Sequence, residues 1–429
     1  MDPHQLKKTS FYKPLGQYFQ PFLLSFLLLG VNGCISTPTV NDSTEISSNS
    51  PPLRLSQELK LLSISSFDVY VDHSSIHLIA AGTTASQSKK TSVHYLHSED
   101  GGLHWAEPIQ ISANAATPMA SRGNDIQLAV TDQKLLALWQ TQGEFPGMGP
   151  IVSQYSVNGG KTWAAGSNPA VNSLGDQSHI DLVADQNGFF HVVWLEDPEE
   201  NGYQSLRYAK STQTGINWDT ALTLDKSTCS CCWNTLTISP KAELNVLYRD
   251  MEPRDMALMQ SQDNGNTWHS TSRVGEFNWK FEGCPHVGGA LALSDNPTAT
   301  LHSLAWTGAE HSQGLYYLHS DDNGKSWTAP HRLGNKAVHA DIAGNASPQV
   351  MAIWDEMSAE GSGIYSAQSL NNGVTWLSTL RLSSAEKSAT HPRIVATPFG
   401  FLALWTEKAD NHPTELAMAF FRHPTETSP

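Results

Sequence analysis

From Leu53 onward, short apolar stretches alternate with turn residues, and no stretch shows a long 3.6-residue period with helix caps. His179-IDLVADQNGFFHVV-Trp194 and His339-ADIAGNASPQVMAI-Trp354 each read as a strand, a turn and a second strand ending at Trp. A third strand precedes, and a fourth follows, a recurrent polar segment. Aligned on that Trp, the first strands begin at Asn124, His179, Trp233, His286, His339 and His391, with Tyr248 in the Trp slot of the unit begun by Trp233. Extended backwards, the register adds Ser66. The steps between these seven starts are 58, 55, 54, 53, 53 and 52 residues, constant enough to predict seven similar four-stranded units. After Trp405 only one further strand, Glu415 to Arg422, is left for the last unit. Leu53-Arg-Leu-Ser56 matches Leu380-Arg-Leu-Ser383, an outer strand, so the N-terminal segment is expected to complete the last unit and close a ring without exposed edges.

The polar segments share Ser-x-(Asp/Asn)-x-Gly-x-x-Trp. They are Ser98-EDGGLH-Trp105, Ser156-VNGGKT-Trp163, Ser211-TQTGIN-Trp218, Ser261-QDNGNT-Trp268, Ser320-DDNGKS-Trp327 and Ser369-LNNGVT-Trp376; the third lacks the acid or amide. Gly supplies the positive φ of a tight turn, Asp or Asn folds back onto backbone amides, and Trp packs beneath. This pattern resembles the Asp-box (BNR) repeat of sialidases and related propellers, over residues 53–383. The resemblance implies an all-β, sialidase-like β-propeller spanning 53–423 as one domain. Seven blades follow from the strand starts; six, as in the sialidases, is the alternative. The boxes themselves are scaffold.

Sialidases bind a substrate carboxylate with three arginines and use a Tyr nucleophile with a Glu partner and an Asp acid/base. Where that family carries its first arginine, in an Arg-Ile-Pro motif, this chain has Ser63-Ile64-Ser65-Ser66-Phe67. Arg122, Arg249, Arg254 and Arg393 lie near the expected mouth, and no three of them occupy the family's motif positions. Fold therefore does not carry the activity across.

The chain has 429 residues and a net charge of -15, which argues against nucleic acid as a partner. Lys7, Lys8 and Lys13 precede a mostly apolar run from Phe19 to Val31, too short to span a bilayer, that ends at Val31-Asn32-Gly33-Cys34. These residues resemble a lipoprotein signal (1–33) whose cleavage leaves Cys34 as a lipidated N-terminus; an ordinary signal peptide is the alternative. Ile35 after the Cys favours the outer membrane by the same resemblance. Cleavage would remove three Lys and Asp2, leaving -17. Residues 34–52 are Ser-, Thr-, Asn- and Pro-rich and read as a flexible tether, and 424–429 as a tail.

Inner-strand starts of a propeller converge on one mouth of its channel, where ligand sites are usual. Four of the seven starts are histidine: His179, His286, His339 and His391. Glu196, Asp250, Glu356 and Glu407 follow the aligned Trp or Tyr by two, and Asp181 and Asp341 follow their His by two. The set suits a polar or metal ligand, with imidazoles favouring Zn or Cu; alternatively each His satisfies a backbone group of the next blade. Cys229-Ser-Cys231-Cys232 precedes Trp233, and Cys284 precedes Pro285-His286. Four cysteines in an exported chain read as two disulfides, or as thiolates that bind Cu or Zn with His286. Arg249 and Arg254, in Tyr248-RDMEPR-Asp255, read as an anion clamp over the pocket or as surface ion pairs. The segment Cys229–His286 also resembles sialidase-like lipoproteins with a Cys-x-Cys-Cys and a later Gly-Cys-Pro, which implies no particular activity. Three functions follow as expectations: a lipid-anchored propeller binding a small-molecule, glycan or metal ligand; a glycoside hydrolase or lyase; or a scaffold for protein partners.

Overall fold

The structure, a computed structural model, describes residues 53–143, 149–171, 176–197, 204–212, 216–294 and 299–422. It is a seven-bladed β-propeller. Seven antiparallel four-stranded sheets follow one another along the chain: blade 1 (63–110), blade 2 (127–165), blade 3 (177–228), blade 4 (235–274), blade 5 (290–334), blade 6 (337–381) and blade 7 (388–422). Each inner strand packs against that of the next blade, and Ser388–Thr397 of blade 7 against Ser63–Asp72 of blade 1. Blade 7 takes its outer strand from the other end of the chain: Leu53 pairs with Met418 and Arg54 with Ala417. That closing strand is shorter than the sequence implies. Leu55–Glu58 turn into a single helical turn, because Leu55, Leu59 and Leu61 bury themselves between blades 7 and 1 instead of continuing the ladder. It is the only helix among the described residues. The expected signal, Cys34, the tether and the tail lie outside the described residues. No described helix is long and apolar enough to cross a membrane.

The core is divided. Seven buried apolar clusters lie one at each blade interface. Second strands, covered on both faces, are largely buried, Phe190–Glu196 along its whole length, whereas the outer strand Leu222–Thr228 is half-buried to exposed except at Thr228. The aligned residues Trp139, Trp194, Trp354 and Trp405 are completely buried, and Tyr248 nearly so. Inner strands of adjacent blades run parallel and do not share a ladder, so side chains join them. Asp68 accepts from the Leu128 N–H (2.8 Å), Asp181 from Leu236 (2.6 Å) and Asp341 from Ile394 (2.9 Å).

Five of the six polar boxes fold alike. In each, the Ser hydroxyl donates to the Asp or Asn and accepts from the Gly N–H, as in Ser320 with Asp322 and Gly324 (both 2.8 Å). The residue before that Gly also has positive φ, being Gly101, Gly159, Asn264, Asn323 or Asn372. In the third box Ser211 instead accepts from the Phe190 N–H.

Candidate functional site at the channel mouth

The seven predicted strand starts do lie where inner strands begin, but three of the histidines owe their direction to irregularities. The ladder slips between Ser178 and Asp181, between Ala337 and Ala340, and between Thr390 and Arg393, leaving His179, His339 and His391 in bulges. A bulge turns a side chain out of the pleat and so toward the channel. His179, His286 and His391 have φ of 53°, 54° and 48°. Strain of this kind in non-glycine residues persists only where surroundings hold it.

Two of the four histidines meet. The rings of His339 and His391 stack with centroids 3.5 Å apart, and Trp233 lies 5.6 Å from the first and 6.1 Å from the second. Gly123 faces them, so close that a Cβ there would sit 3.4 Å from His391 Nε2. These residues line a central cavity with Arg122, Asp125, Asp181, Asp341 and Arg393. Its enclosed space is about 40 Å³, room for a few waters, so a larger ligand would sit in the open mouth above it.

One carboxylate organises both rings. His339 Nδ1–H donates to Asp355 (2.7 Å). Thr390 donates its hydroxyl proton to the same carboxylate (2.5 Å), so its oxygen accepts from His391 Nδ1–H (2.8 Å). The His391 N–H also points at Asp355 (2.9 Å). Both imidazoles are therefore fixed as Nδ1–H tautomers, and each offers a bare Nε2. Burial, the neighbouring His339 and Arg122 drive the His391 imidazole down to about 2, so it is neutral at any physiological pH. Burial opposes charge on Asp355, yet the bonds from His339 and Thr390 hold its carboxyl below the ordinary value. Held through Nδ1, the His339 ring turns Nε2 outward where it can accept a proton, and the two Nε2 atoms can bind a metal ion.

Beneath the histidines the channel holds two arginines among four acids. Arg393 lies 3.3 Å from Asp68 and 3.5 Å from Asp341. Arg122 pairs with Asp125 and donates to the His391 carbonyl (2.6 Å). With acids in excess, burial pushes the Asp68 carboxyl up to about 6 and that of Asp181 to about 7, against the lowering effect of Arg393.

The other expected site residues are elsewhere or otherwise engaged. His179 is half-buried, donates its N–H to Asn124 (2.8 Å), and is pushed down to about 4 by burial and by His286. Glu196, Glu356 and Glu407 accept from the indoles of Trp194, Trp354 and Trp405 (3.0–3.1 Å), which makes them anchors for the core Trp rather than channel acids. Arg249 is 1% exposed and donates to the carbonyls of Val287, Arg254 and Trp306, and the buried Arg254 donates to that of Phe281. Their guanidiniums satisfy loop backbone and are not presented to the channel. Asp250 borders a separate outer groove with Tyr248 and Arg273.

Of the cysteines, Cys229 and Cys232 form a disulfide, which removes both from the expected metal set. Cys231 and Cys284 are free, the first buried and the second exposed. Asp355 and Thr390 were not signalled by the repeat. Asp355 occupies a slot held by Leu195 in blade 3 and Thr406 in blade 7, so only the fold reveals it.

No family model and no curated protein matches the chain. Among solved structures, a polysaccharide lyase described as an ulvan lyase of a new family, bound to -[GlcA(1-4)Rha3S]-, shares 11% identity at a TM-score of 0.54, over 85% of this chain and 99% of that one. The polysaccharide lyase Uly1 shares 9% identity at a TM-score of 0.53, over 82% and 89%. A Hadza microbial sialidase shares 13% identity at a TM-score of 0.46, over 79% and 75%. At such identities the likeness is one of fold.

Proposed function

We propose that this protein acts on a glycan at the channel mouth, with Trp233 as the sugar platform and His339 as the proton acceptor. The observation that carries the reading is the anchoring of both imidazoles through Nδ1 to Asp355, directly or through Thr390, which turns both Nε2 atoms away from that carboxylate beside an aromatic face. A carboxylate-oriented imidazole is suited to remove one proton. The reaction class that needs this is elimination from a uronic acid: the proton α to the carboxylate moves to the His339 Nε2, the C–H electron pair becomes the carbon–carbon double bond, and the β oxygen leaves with its bonding pair and takes a proton from water. Similarly folded polysaccharide lyases, one of them bound to a GlcA-containing saccharide, support the same substrate class. The acid-rich channel is less repulsive to a uronate when Asp68 and Asp181 carry protons, as they do below about pH 6 and 7. A two-carboxylate hydrolase would instead need a pair of free carboxyl groups, and the acids at this mouth are tied to arginines or backbone.

The test is incubation with uronate-containing polysaccharides, following the ultraviolet absorbance of the unsaturated product and, in parallel, new reducing ends. Absorbance lost in His339→Gln supports elimination; reducing ends without absorbance would replace it with hydrolysis. A second reading is an ion held among His339, His391 and Asp355, one ligand atom of each lying within 4.8 Å of the others. Metal analysis of the purified protein decides it. We further infer that the chain is exported, cut before Cys34 and lipid-anchored in the outer membrane; lipid labelling that survives Cys34→Ala would end that inference.

A further inference from the structure

We propose that Cys231, Cys284 and His286 form a second site, separate from the glycan mouth, that binds a thiophilic closed-shell cation, Cu(I) or Zn(II). One ligand atom from each of the three lies within 4.8 Å of the others. With metal–sulfur bonds near 2.3 Å and metal–nitrogen bonds near 2.0 Å, ligands around a three- or four-coordinate ion are about 3.5–4 Å apart, so closure requires only small side-chain rotations. Two segments supply the donors. Cys231 lies on the loop entering blade 4, and Cys284 with His286 on the loop entering blade 5.

Burial, with the neighbouring Cys284, pushes the Cys231 thiol up to about 11, so an arriving cation has to displace its proton. The His286 N–H points at its sulfur, and Arg254 contributes positive charge. Its other neighbour, Cys229, whose sulfur is 3.8 Å away, is already joined to Cys232, which leaves Cys231 and Cys284 unpaired with each other. Cys284 and His286 are exposed and Cys231 is buried beneath them, so an ion reaches the site from solvent and is held from below. Two thiolates and one imidazole leave a coordination position open, the arrangement of sites that exchange or use their ion rather than of closed structural ones. The positive φ of His286, 54°, holds its backbone where Cys231 can accept from it.

The test uses the full chain, unreduced, titrated with Zn(II) alone, with Co(II) as a spectroscopic substitute, and separately with Cu(I) against a chromophoric chelator. One equivalent of either ion is expected, with sulfur-to-cobalt charge-transfer absorption in the Co(II) arm. Cys284→Ser should abolish stoichiometric binding. His286→Gln, at an exposed position that leaves the fold intact by circular dichroism, should weaken it by at least about tenfold. Alkylation mapped by mass spectrometry should find the exposed Cys284 reactive without ion and protected with it. A Cys231–Cys284 disulfide in the unreduced protein, or unchanged affinity in Cys284→Ser, would overturn the proposal.

Discussion

Asp355 shows how one side chain can set the chemistry of two others. It accepts from the His339 ring, from Thr390 and from the His391 backbone, so its removal frees both rings to rotate and lets either tautomer form. Asp355→Asn is expected to lower turnover by about 10²–10⁴-fold, the usual worth of an oriented proton acceptor, while the melting temperature changes little. Steady-state kinetics beside a thermal melt separates the two. Asp181 carries a different prediction. Its carboxyl is raised by burial from 3.8 to about 7, so its neutral form is the one the fold prefers. The associated stability is fully present below about pH 4 and is lost as pH rises through 7. Asp181→Asn keeps an oxygen for the Leu236 N–H and should flatten the fall of melting temperature between pH 4 and 7. A variant whose melting curve follows pH as steeply as the parent would refute the assignment.

Turns and strands repeat a second device. His77 bonds Tyr95, His191 bonds Tyr208 and His302 bonds Tyr317 through Nδ1 at 2.7–2.8 Å, all buried. Each Tyr then packs against the box Trp of the following blade, Trp163, Trp268 and Trp376, at ring distances of 4.7–5.3 Å. The box glycines leave room for that tyrosine. A Cβ on Gly373, whose φ is 85°, would fall 1.7 Å from the Tyr317 hydroxyl, which is backed by His302 and cannot withdraw. Gly373→Ala is expected to cost more than the ~1–3 kcal/mol of left-handed strain alone. Tyr317→Phe removes only a hydrogen bond and should cost about 1–3 kcal/mol by leaving the His302 nitrogen buried and unpaired. Urea denaturation of the two variants gives the comparison, and an Ala variant as stable as the Phe variant would contradict the packing argument.

The ring depends on its closure. Leu53 and Arg54 cover the edge of Glu415–Arg422, and Leu55, Leu59 and Leu61 fill the interface between blades 7 and 1. Three buried leucines contribute roughly 1.5–3 kcal/mol each, a large share of the ~5–15 kcal/mol that typically separates folded from unfolded chains. A chain beginning at Ser63 should therefore aggregate, exposing both an apolar face and an unpaired strand. Recovery of that chain in soluble form with an unchanged melt would show that closure lies elsewhere. Blade number, box geometry and the last strand, Glu415–Arg422, were all legible in the chain, because period-two alternation, Gly at positive-φ turns and a recurring Trp are local consequences of each blade's own structure. So were His339 and His391, since a repeat slot maps to a fixed place around the axis. The partners of those rings were not legible. Which histidines stack, that Asp355 and Thr390 hold them, that Arg249 faces backbone, and that Cys229 takes Cys232 and leaves Cys231 beside Cys284, all depend on bulges and loops approaching from separate blades. Repetition dictates the frame because every unit must bury the same surfaces; the site arises where units differ, and those differences acquire meaning only once the ring brings them face to face.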